Sequence, residues 1–242
     1  MTNSGLFERT HILVGDSGLE KLQNSHILIA GLGGVGSYAA EALVRAGIGR
    51  LTLIDSDAVA PSNINRQLLA TNDTVGRQKV EVMGERLNSI NPECQLHLHD
   101  LFITPETIPT ILDKAEPDWV VDAIDSLNCK VSLIIESQIR DIKVASSMGA
   151  GSKLNPAMLQ VGDLFDSTIC PLARTVRQRL RRRNGQRGVV AVWSLEPPMP
   201  HKPPEATSQG RPRAVNGTIS YMPALFGLTL AGEVLRRVLA ES

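Results

Sequence analysis

The sequence has few of the residues that disulfide frameworks and zinc sites require. Its 242 residues include three cysteines, Cys94, Cys129 and Cys170, and none lies in a C-x-x-C pair. Because structural zinc sites and disulfide-rich scaffolds depend on closely spaced cysteines, we expect neither. Two interpretations of Cys170 stay open, a nucleophile and an incidental buried thiol, and the residue alone favours the second.

Aromatic residues and net charge are also lacking. Aromatics make up 3% of the chain, and the formal net charge at pH 7 is zero. The low aromatic content argues against a platform on which bases of single-stranded nucleic acid stack. Zero net charge means that any attraction to a polyanion must come from a local patch.

We expect neither a signal peptide nor a membrane-spanning segment in this sequence. Residues 1–5 lack the basic and apolar regions of a signal peptide, so we expect a cytoplasmic protein. The most apolar later stretch, residues 219–230, is interrupted by polar residues, proline and glycine, and falls short of the ~20 residues that a span needs. We therefore expect no membrane span.

A glycine-rich turn is the most informative feature that the sequence does contain. The apolar run 27–30 predicts a buried parallel strand, and a helical pattern begins near Ser37. Between them the G-x-G-x-x-G spacing is formed by Gly31, Gly33 and Gly36. Such a turn lets backbone N–H groups approach a phosphate at the helix N-terminus. The alternative is a turn that only packs the helix on the strand, but the strand and helix on either side favour nucleotide binding.

Strands and helices alternate along the first half of the chain. The patterns predict helices at 6–24 with a break at Gly15, 38–46, 75–90 and 105–114, and strands at 51–54, 95–99 and 119–125. Later patterns predict strands at 143–146, 158–162 and 189–193, helices at 171–183 and 223–239, and an extended proline-rich loop at 196–217. This order predicts an α/β fold with a doubly wound, mostly parallel Rossmann-like sheet, helices on both faces and a few C-terminal strands that are candidates for antiparallel pairing. We expect one domain over 1–242, with a nucleotide-binding core at 6–150 and a C-terminal extension at 151–242.

Charged residues beyond the turn narrow the choice of nucleotide. Asp55 ends the second strand, where an aspartate accepts hydrogen bonds from both ribose hydroxyls; the alternative is a loop cap. The glycine-rich turn together with Asp55 fits NAD as well as ATP. Arg66, Lys79 and Asp125 favour ATP, because two cations neutralise a triphosphate and a carboxylate at a strand end can hold Mg²⁺. Each of these three residues alone also has an ordinary interpretation, as a surface ion pair, a solvated helix face or a helix cap.

Five motifs, in this order, resemble the ubiquitin-activating-enzyme-like adenylyltransferases. They are Gly31-Leu-Gly33-Gly34-Val-Gly36, Leu53-Ile-Asp55-Ser-Asp57, Asn63-Ile-Asn65-Arg66-Gln67, Val75-Gly76-Arg77-Gln78-Lys79 and Asp122-Ala-Ile-Asp125-Ser126. The resemblance covers about residues 6–150. It implies an ATP site with contacts from Gly31, Gly33, Gly34, Gly36, Asp55, Asp57, Asn63, Arg66 and Lys79. It also implies Asp125 as the magnesium ligand and Arg66, Lys79 and Asp125 as catalytic residues.

A further catalytic residue and a homodimer are implied by the same resemblance. Arg9, in the segment Arg9-Thr-His-Ile-Leu13, is similar to the arginine that such dimers lend to the ATP site of the partner. The chain is most similar to the tRNA threonylcarbamoyladenosine dehydratases within this family, in segments 39–43, 47–49, 80–83, 90–94 and 122–126. In such enzymes ATP activates the carboxylate of a threonylcarbamoyl group on the tRNA adenosine next to the anticodon, and ring closure then expels AMP. A sulfur-transfer or cysteine desulfurase partner is an additional expectation.

Two other functions stay open at this point. One is an adenylyltransferase acting on the C-terminus of a ubiquitin-like sulfur-carrier protein, and the other is a module that senses ATP without chemistry. Sulfur-carrier adenylyltransferases typically hold zinc between two C-x-x-C pairs. The absence of such pairs therefore favours the dehydratase.

An arginine-rich helix is predicted at residues 171–183. Leu172, Val176 and Leu180 form its apolar stripe, and seven arginines with no acid occur between residues 174 and 187. The opposite side of the predicted helix carries Arg174, Arg177, Arg181 and Arg182. We expect these four arginines to face outward and contact tRNA phosphates, with a merely solvated face as the alternative.

Overall fold

A seven-stranded sheet organises the chain in the computed structural model, which describes residues 5–197, 204–205, 213–214 and 217–240. Its strands are β1 His26–Ala30, β2 Arg50–Asp55, β3 Gln95–Asp100, β4 Trp119–Asp122, β5 Lys143–Ser147, β6 Leu159–Asp163 and β7 Val190–Ser194. The order is β3-β2-β1-β4-β5-β7-β6, and β6 alone is antiparallel to its neighbour within this sheet. The predicted α/β class, with its mostly parallel sheet and an antiparallel C-terminal strand, is confirmed.

Helices cover both faces of the sheet. They are α1 Glu8–Asn24, α2 Gly36–Ala46, α3 Lys79–Ile90, α4 Ile108–Ala115, α5 Leu127–Ile139, α6 Pro171–Arg182 and α7 Tyr221–Ala240. Single 3-10 turns occur at Pro61–Asn63, Asn72–Thr74, Pro156–Met158 and Leu164–Asp166. Most of the predicted loop at 196–217 lies outside the described residues, although β8 Pro204–Glu205 pairs with β9 Arg213–Ala214.

Strand β1 is buried on both faces, which explains its continuous apolar sequence. Ile27 and Ile29 belong to a core cluster with α2, α3 and α7. Leu28 and Ala30 belong to a second cluster with α4, α5 and α6. A parallel strand covered by helices on both sides has no solvent-facing positions, so its residues do not alternate with polar ones. The strand therefore fixes the glycine turn rigidly at its end.

Several predicted boundaries are wrong for local reasons. The helix predicted from residue 75 begins at Lys79, because Gly76 has a φ of +88° and its N–H bonds to the Val59 carbonyl. The helix predicted from residue 105 begins at Ile108, because Thr104 and Thr107 bond to each other in a preceding turn. The strand predicted to reach residue 125 ends at 122.

Other elements agree with the sequence or were missed by it. The break at Gly15 is confirmed by its φ of +69° inside α1. Helix α5 was not predicted, because most of its positions are buried and it has no polar stripe to reveal a period. Within the described segments, no helix combines the length and apolar character required to cross a bilayer.

Candidate active site

Three predicted site segments meet at the carboxyl edge of the sheet. Strand β1 lies between β2 and β4, with Ala30 opposite both Ile54 and Asp122. The chain winds outward through β2 and β3 on one side of β1 and through β4 and β5 on the other. A crevice opens at such a reversal, and ligands of doubly wound sheets bind there. The structure thus brings together the glycine turn, Asp55 and the loop that carries Asp125.

Two glycines of the turn are required by close backbone packing. A Cβ at Gly36 would lie 1.8 Å from the Gly31 carbonyl oxygen. Gly31 itself has a φ of +91°, and its Cβ would lie 2.8 Å from the Ala123 carbonyl oxygen. These two positions fit the packing interpretation of the motif, because they join the turn to α2 and to the loop after β4.

Gly33 is different, because the space beside it is open. The nearest atom to a Cβ at Gly33 would be Nε2 of Gln67, 3.8 Å away. Gln67 is buried, and its Oε1 makes no hydrogen bond with the described residues. An open glycine beside an unsatisfied buried acceptor fits a polar ligand lying on the turn. Gln67 was quoted in the family motif, but the sequence assigned it no role.

Asp55 fastens the turn to the end of β2. Its Oδ2 accepts a hydrogen bond from the Leu32 N–H at 2.6 Å, and its Oδ1 accepts one from the Asp57 N–H at 2.9 Å. Burial raises the pKa of Asp55, while Lys79 and the two amides oppose that shift. Carboxylate oxygens have further lone pairs. The loop-fastening interpretation and the ribose contact are therefore compatible.

Lys79 is a buried cation at the start of α3. It is 5% exposed, and its Nζ lies 2.7 Å from Oδ2 of Asp57 and 3.9 Å from Oδ1 of Asp55. A buried ammonium requires a partner of opposite charge. Asp57, predicted to contact the nucleotide, serves as that partner here. The ammonium has three donors, so it can also bind an anion that enters the crevice.

The loop between β2 and α3 places Arg66 against the glycine turn. A Cβ at Gly34 would lie 3.4 Å from Cγ of Arg66. The Nη1 group donates to the Ser62 carbonyl and to Oδ1 of Asn65, both at 2.9 Å. Asn63 shapes the same loop by accepting a hydrogen bond from the Ala60 N–H at 3.1 Å. The remaining donors of the guanidinium are available to an anion.

The two carboxylates after β4 have different surroundings. Asp122 is fully buried, pairs with Lys130 at 2.8 Å and accepts a hydrogen bond from the Ser146 hydroxyl at 2.6 Å. Asp125 is exposed and makes no hydrogen bond or ion pair within the described part of the chain. Asp122 therefore fixes the strand end, whereas Asp125 presents a free oxygen ligand of the kind that Mg²⁺ prefers.

A metal held only by protein side chains does not fit this site. No group of three or more His, Cys, Asp or Glu residues in the described ranges could hold a metal ion. Magnesium is commonly bound by one or two carboxylates together with water and substrate phosphates. Asp125 beside the glycine turn fits that second arrangement.

Arg9 is not brought to the site of its own chain. It lies exposed on α1, two residues after Phe7, which packs on Gly47. Gly47 precedes β2 and so lies at the amino edge of the sheet, opposite the crevice. Any contact of Arg9 with a nucleotide would therefore require a second chain.

The predicted arginine surface on α6 is only partly correct. Val176 and Leu180 are buried as predicted, and Arg174 and Arg182 are exposed. Arg177 was predicted to face outward but is partly buried and donates to the Ser167 carbonyl at 2.6 Å. Burial, together with the charge of Arg181, lowers the pKa of Arg177. The reason for the error is that residues 164–168 pack along this side of α6, which the helical period alone does not reveal.

The chain is similar to known proteins over nearly its whole length. The model of the ThiF family matches residues 7–242. The chain is 37% identical over 242 residues to a tRNA threonylcarbamoyladenosine dehydratase of Bacillus subtilis, covering 97% of this chain and 95% of that relative. The crystal structure of E. coli tRNA N6-threonylcarbamoyladenosine dehydratase is similar with a TM-score of 0.87 and 36% identity, over 98% of this chain and 95% of that chain. A structure of the E. coli protein in complex with ATP gives a TM-score of 0.86 at the same identity and coverage.

Proposed function

The chain belongs to the ThiF family, and from that relationship we propose that it is an ATP-dependent tRNA threonylcarbamoyladenosine dehydratase. The observation that carries this proposal is the crevice at the carboxyl edge. There Asp55 lies between the glycine turn and the buried Lys79, and Gly31 packs against Ala123 in the loop that carries Asp125. The similarity to dehydratases extends beyond this crevice into the C-terminal extension. The ATP complex of the E. coli relative supports the choice of nucleotide.

The proposed reaction has two steps, adenylation of the substrate and ring closure. The carboxylate of the threonylcarbamoyl group attacks the α-phosphorus of ATP, and the bond to pyrophosphate breaks, which gives an acyl adenylate. An N–H or O–H group of the same substrate then attacks the activated carbonyl carbon and loses its proton to solvent, and AMP leaves with the bonding electrons and the carboxylate oxygen. The sum is loss of one water from the modified adenosine at the expense of ATP. Because the nucleophile belongs to the substrate, orientation and charge neutralisation suffice.

This mechanism requires no cysteine. Cys94, Cys129 and Cys170 are all buried free thiols. Burial raises the pKa of Cys94 to about 11, so this thiol is a poor nucleophile at neutral pH. The buried position of Cys170 supports the incidental interpretation. This favours ring closure within the substrate over transfer of the acyl group to the enzyme.

The residues of the crevice have distinct proposed roles. Lys79 and Arg66 neutralise the charge that moves onto pyrophosphate, and Asp55 accepts hydrogen bonds from the ribose. The N–H groups of Gly33 and Gly34 in the glycine turn face the phosphates, because those of Gly31 and Leu32 already donate to the Ile54 carbonyl and to Asp55. Asp125 would hold Mg²⁺, which would supply further neutralisation of the phosphate charge. Asn63 shapes the loop that positions Arg66.

Recognition of the tRNA and assembly are also proposals. Arg174, Arg181 and Arg182 of α6 remain available for phosphate contacts after the correction at Arg177. Arg9 is proposed to act in the site of a partner chain, which requires a homodimer. The division at residue 150, the cytoplasmic location and a sulfur-transfer or cysteine desulfurase partner stay predictions.

Release of pyrophosphate from ATP tests the function against its alternatives. We expect release with tRNA that carries threonylcarbamoyladenosine, and only background with a ubiquitin-like carrier protein or with neither. Release that depends on the carrier protein would favour the sulfur-carrier adenylyltransferase. ATP binding without release in any mixture would favour a sensor module.

A further inference from the structure

A cleft of about 420 Å³ lies between α5 and α6. We name it the arginine cleft, and its lining includes Pro105, Asn128, Ser132, Arg179, Arg182 and Arg183. No acidic side chain is present among the described residues that line it. Three guanidinium groups around one cleft without a countercharge create a local positive potential in a chain whose net charge is zero.

Two of these arginines are held in place by neutral partners. Arg179 donates to Oδ1 of Asn128, and Nη1 of Arg183 donates to Oγ of Ser132 at 2.9 Å. Neither partner neutralises the positive charge. Each guanidinium has five N–H donors, so several remain for a ligand. The side chains are thus oriented in advance, and less conformational entropy is lost on binding.

The other arginines of α6 differ in this respect. Arg177 is bonded to Ser167, and Arg181 lies over the Phe165 ring at 5.5 Å from its centroid. These contacts lie on the side of α6 away from α5. The structure therefore places Arg177 and Arg181 beside residues 164–168, and Arg179, Arg182 and Arg183 around the cleft.

The cleft begins next to the proposed active site. Asn128 is in the first turn of α5, three residues after Asp125. The contacts Arg179–Asn128 and Arg183–Ser132 both advance by four residues, so the two helices run in the same direction. One such step is about 6 Å along a helix. The cleft therefore leads away from the carboxyl edge along α5.

We propose that the arginine cleft binds backbone phosphates of the tRNA substrate and thereby aligns the modified adenosine with Asp125. Guanidinium groups match phosphate oxygens in charge and geometry. None of the described lining residues is aromatic, so the cleft offers no surface on which a free nucleotide base would stack. This inference rests on the proposed function, and it assigns the main RNA contact to Arg179 and Arg183, which the sequence did not select.

Affinity for tRNA at several salt concentrations tests this assignment. The double variant Arg179→Gln/Arg183→Gln should bind tRNA at least about tenfold more weakly, and the slope of log affinity against log salt should flatten by roughly 1.5 units. Arg236→Gln/Arg237→Gln is the matched control, because it removes two exposed charges beside Glu233 on α7. The control should keep the wild-type affinity and slope, and melting temperatures should show that both variants fold.

Three results would overturn the inference, and a fourth concerns the function itself. If tRNA binding weakened equally in the cleft variant and the control, the cause would be the general change in net charge and not the cleft. Unchanged tRNA binding combined with lost binding of pyrophosphate would make the cleft a site for free polyphosphate. If the wild-type chain itself releases no pyrophosphate with tRNA, the proposed function fails first. Normal wild-type turnover with an unaffected cleft variant removes the cleft assignment alone.

Discussion

Lys79 and Asp125 occupy opposite environments although both are proposed to act on the same phosphates. Lys79 is 5% exposed and is held by Asp57, whereas Asp125 is exposed with no partner in the described structure. A buried cation keeps its position when the nucleotide leaves. A free carboxylate can change its position to meet a metal ion. The difference fits a fixed phosphate clamp and a metal ligand that is completed only by substrate.

The first prediction concerns the carboxylate of Asp125. Asp125→Asn should lower the rate of ATP–pyrophosphate exchange with tRNA substrate by about 10²–10³, the usual effect of removing one contact to transition-state charge. Asp141→Asn is the control, because Asp141 is also exposed but follows the far end of α5. Exchange by the Asp125 variant at the wild-type rate would remove Asp125 from the catalytic site.

The second prediction concerns the stability that the protein loses at acid pH because of His26. Burial, assisted by the charge of Arg50, lowers the pKa of His26 to about 4 from the ordinary 6.5. The unfolded chain thus takes up a proton at a higher pH than the folded chain does. Stability from this residue is therefore complete above pH 6.5 and is lost as the pH falls toward 4.

Melting temperatures measured between pH 7 and pH 4 test this dependence. His26→Gln should lose less stability than the wild type over that interval, because its side chain does not titrate. His99→Gln, at an exposed position on β3, should follow the wild-type curve. Parallel curves for the wild type and His26→Gln would show that His26 is not the group responsible.

The glycine turn separates into packing and binding positions at the scale of the element. Gly36→Ala should fold poorly, because its Cβ would lie 1.8 Å from a backbone oxygen. Gly33→Ala should keep a near-wild-type melting temperature but lose at least about tenfold in ATP affinity, equivalent to ~1.4 kcal/mol. Calorimetry with ATP and thermal melting measure the two properties. Normal ATP binding by Gly33→Ala would show that the phosphates do not lie on this face of the turn.

Some helices and strands could be predicted from the sequence, and others could not. Strand β1 and the turn after it could be predicted, because an apolar run and fixed glycine spacing are local signals. Helix α5 could not, because burial on nearly all sides removes its amphipathic period. The predicted outward orientation of Arg177 was wrong, because residues 164–168 cover that side of α6. The helical period of α6 alone carries no information about this neighbouring segment. Roles for Gln67 and Arg179 depend on neighbours that only the folded chain provides.

Assembly belongs to the scale of the whole molecule. Arg9 lies near the amino edge of its own sheet, so its proposed catalytic role requires a second copy of the chain. A mixture of Arg9→Ala and Lys79→Ala chains should recover activity, because one site of each mixed dimer has both residues. Random pairing of equal amounts predicts about a quarter of the wild-type rate.

Mass in solution and the rate of the mixture test this arrangement together. Each variant alone should be nearly inactive and dimeric. A monomeric mass, or no recovery after the chains are unfolded and refolded together, would remove Arg9 from the catalytic residues.

The central claim is that ATP drives loss of water from a modified adenosine in tRNA. The most direct measurement is mass spectrometry of nucleosides from tRNA incubated with the protein, ATP and magnesium, together with quantification of AMP. We expect conversion of threonylcarbamoyladenosine to a nucleoside lighter by one water, with one AMP formed for each conversion, and conversion slower by about 10²–10³ with Asp125→Asn. An unchanged nucleoside, while the same protein forms AMP with a ubiquitin-like carrier, would contradict the central claim.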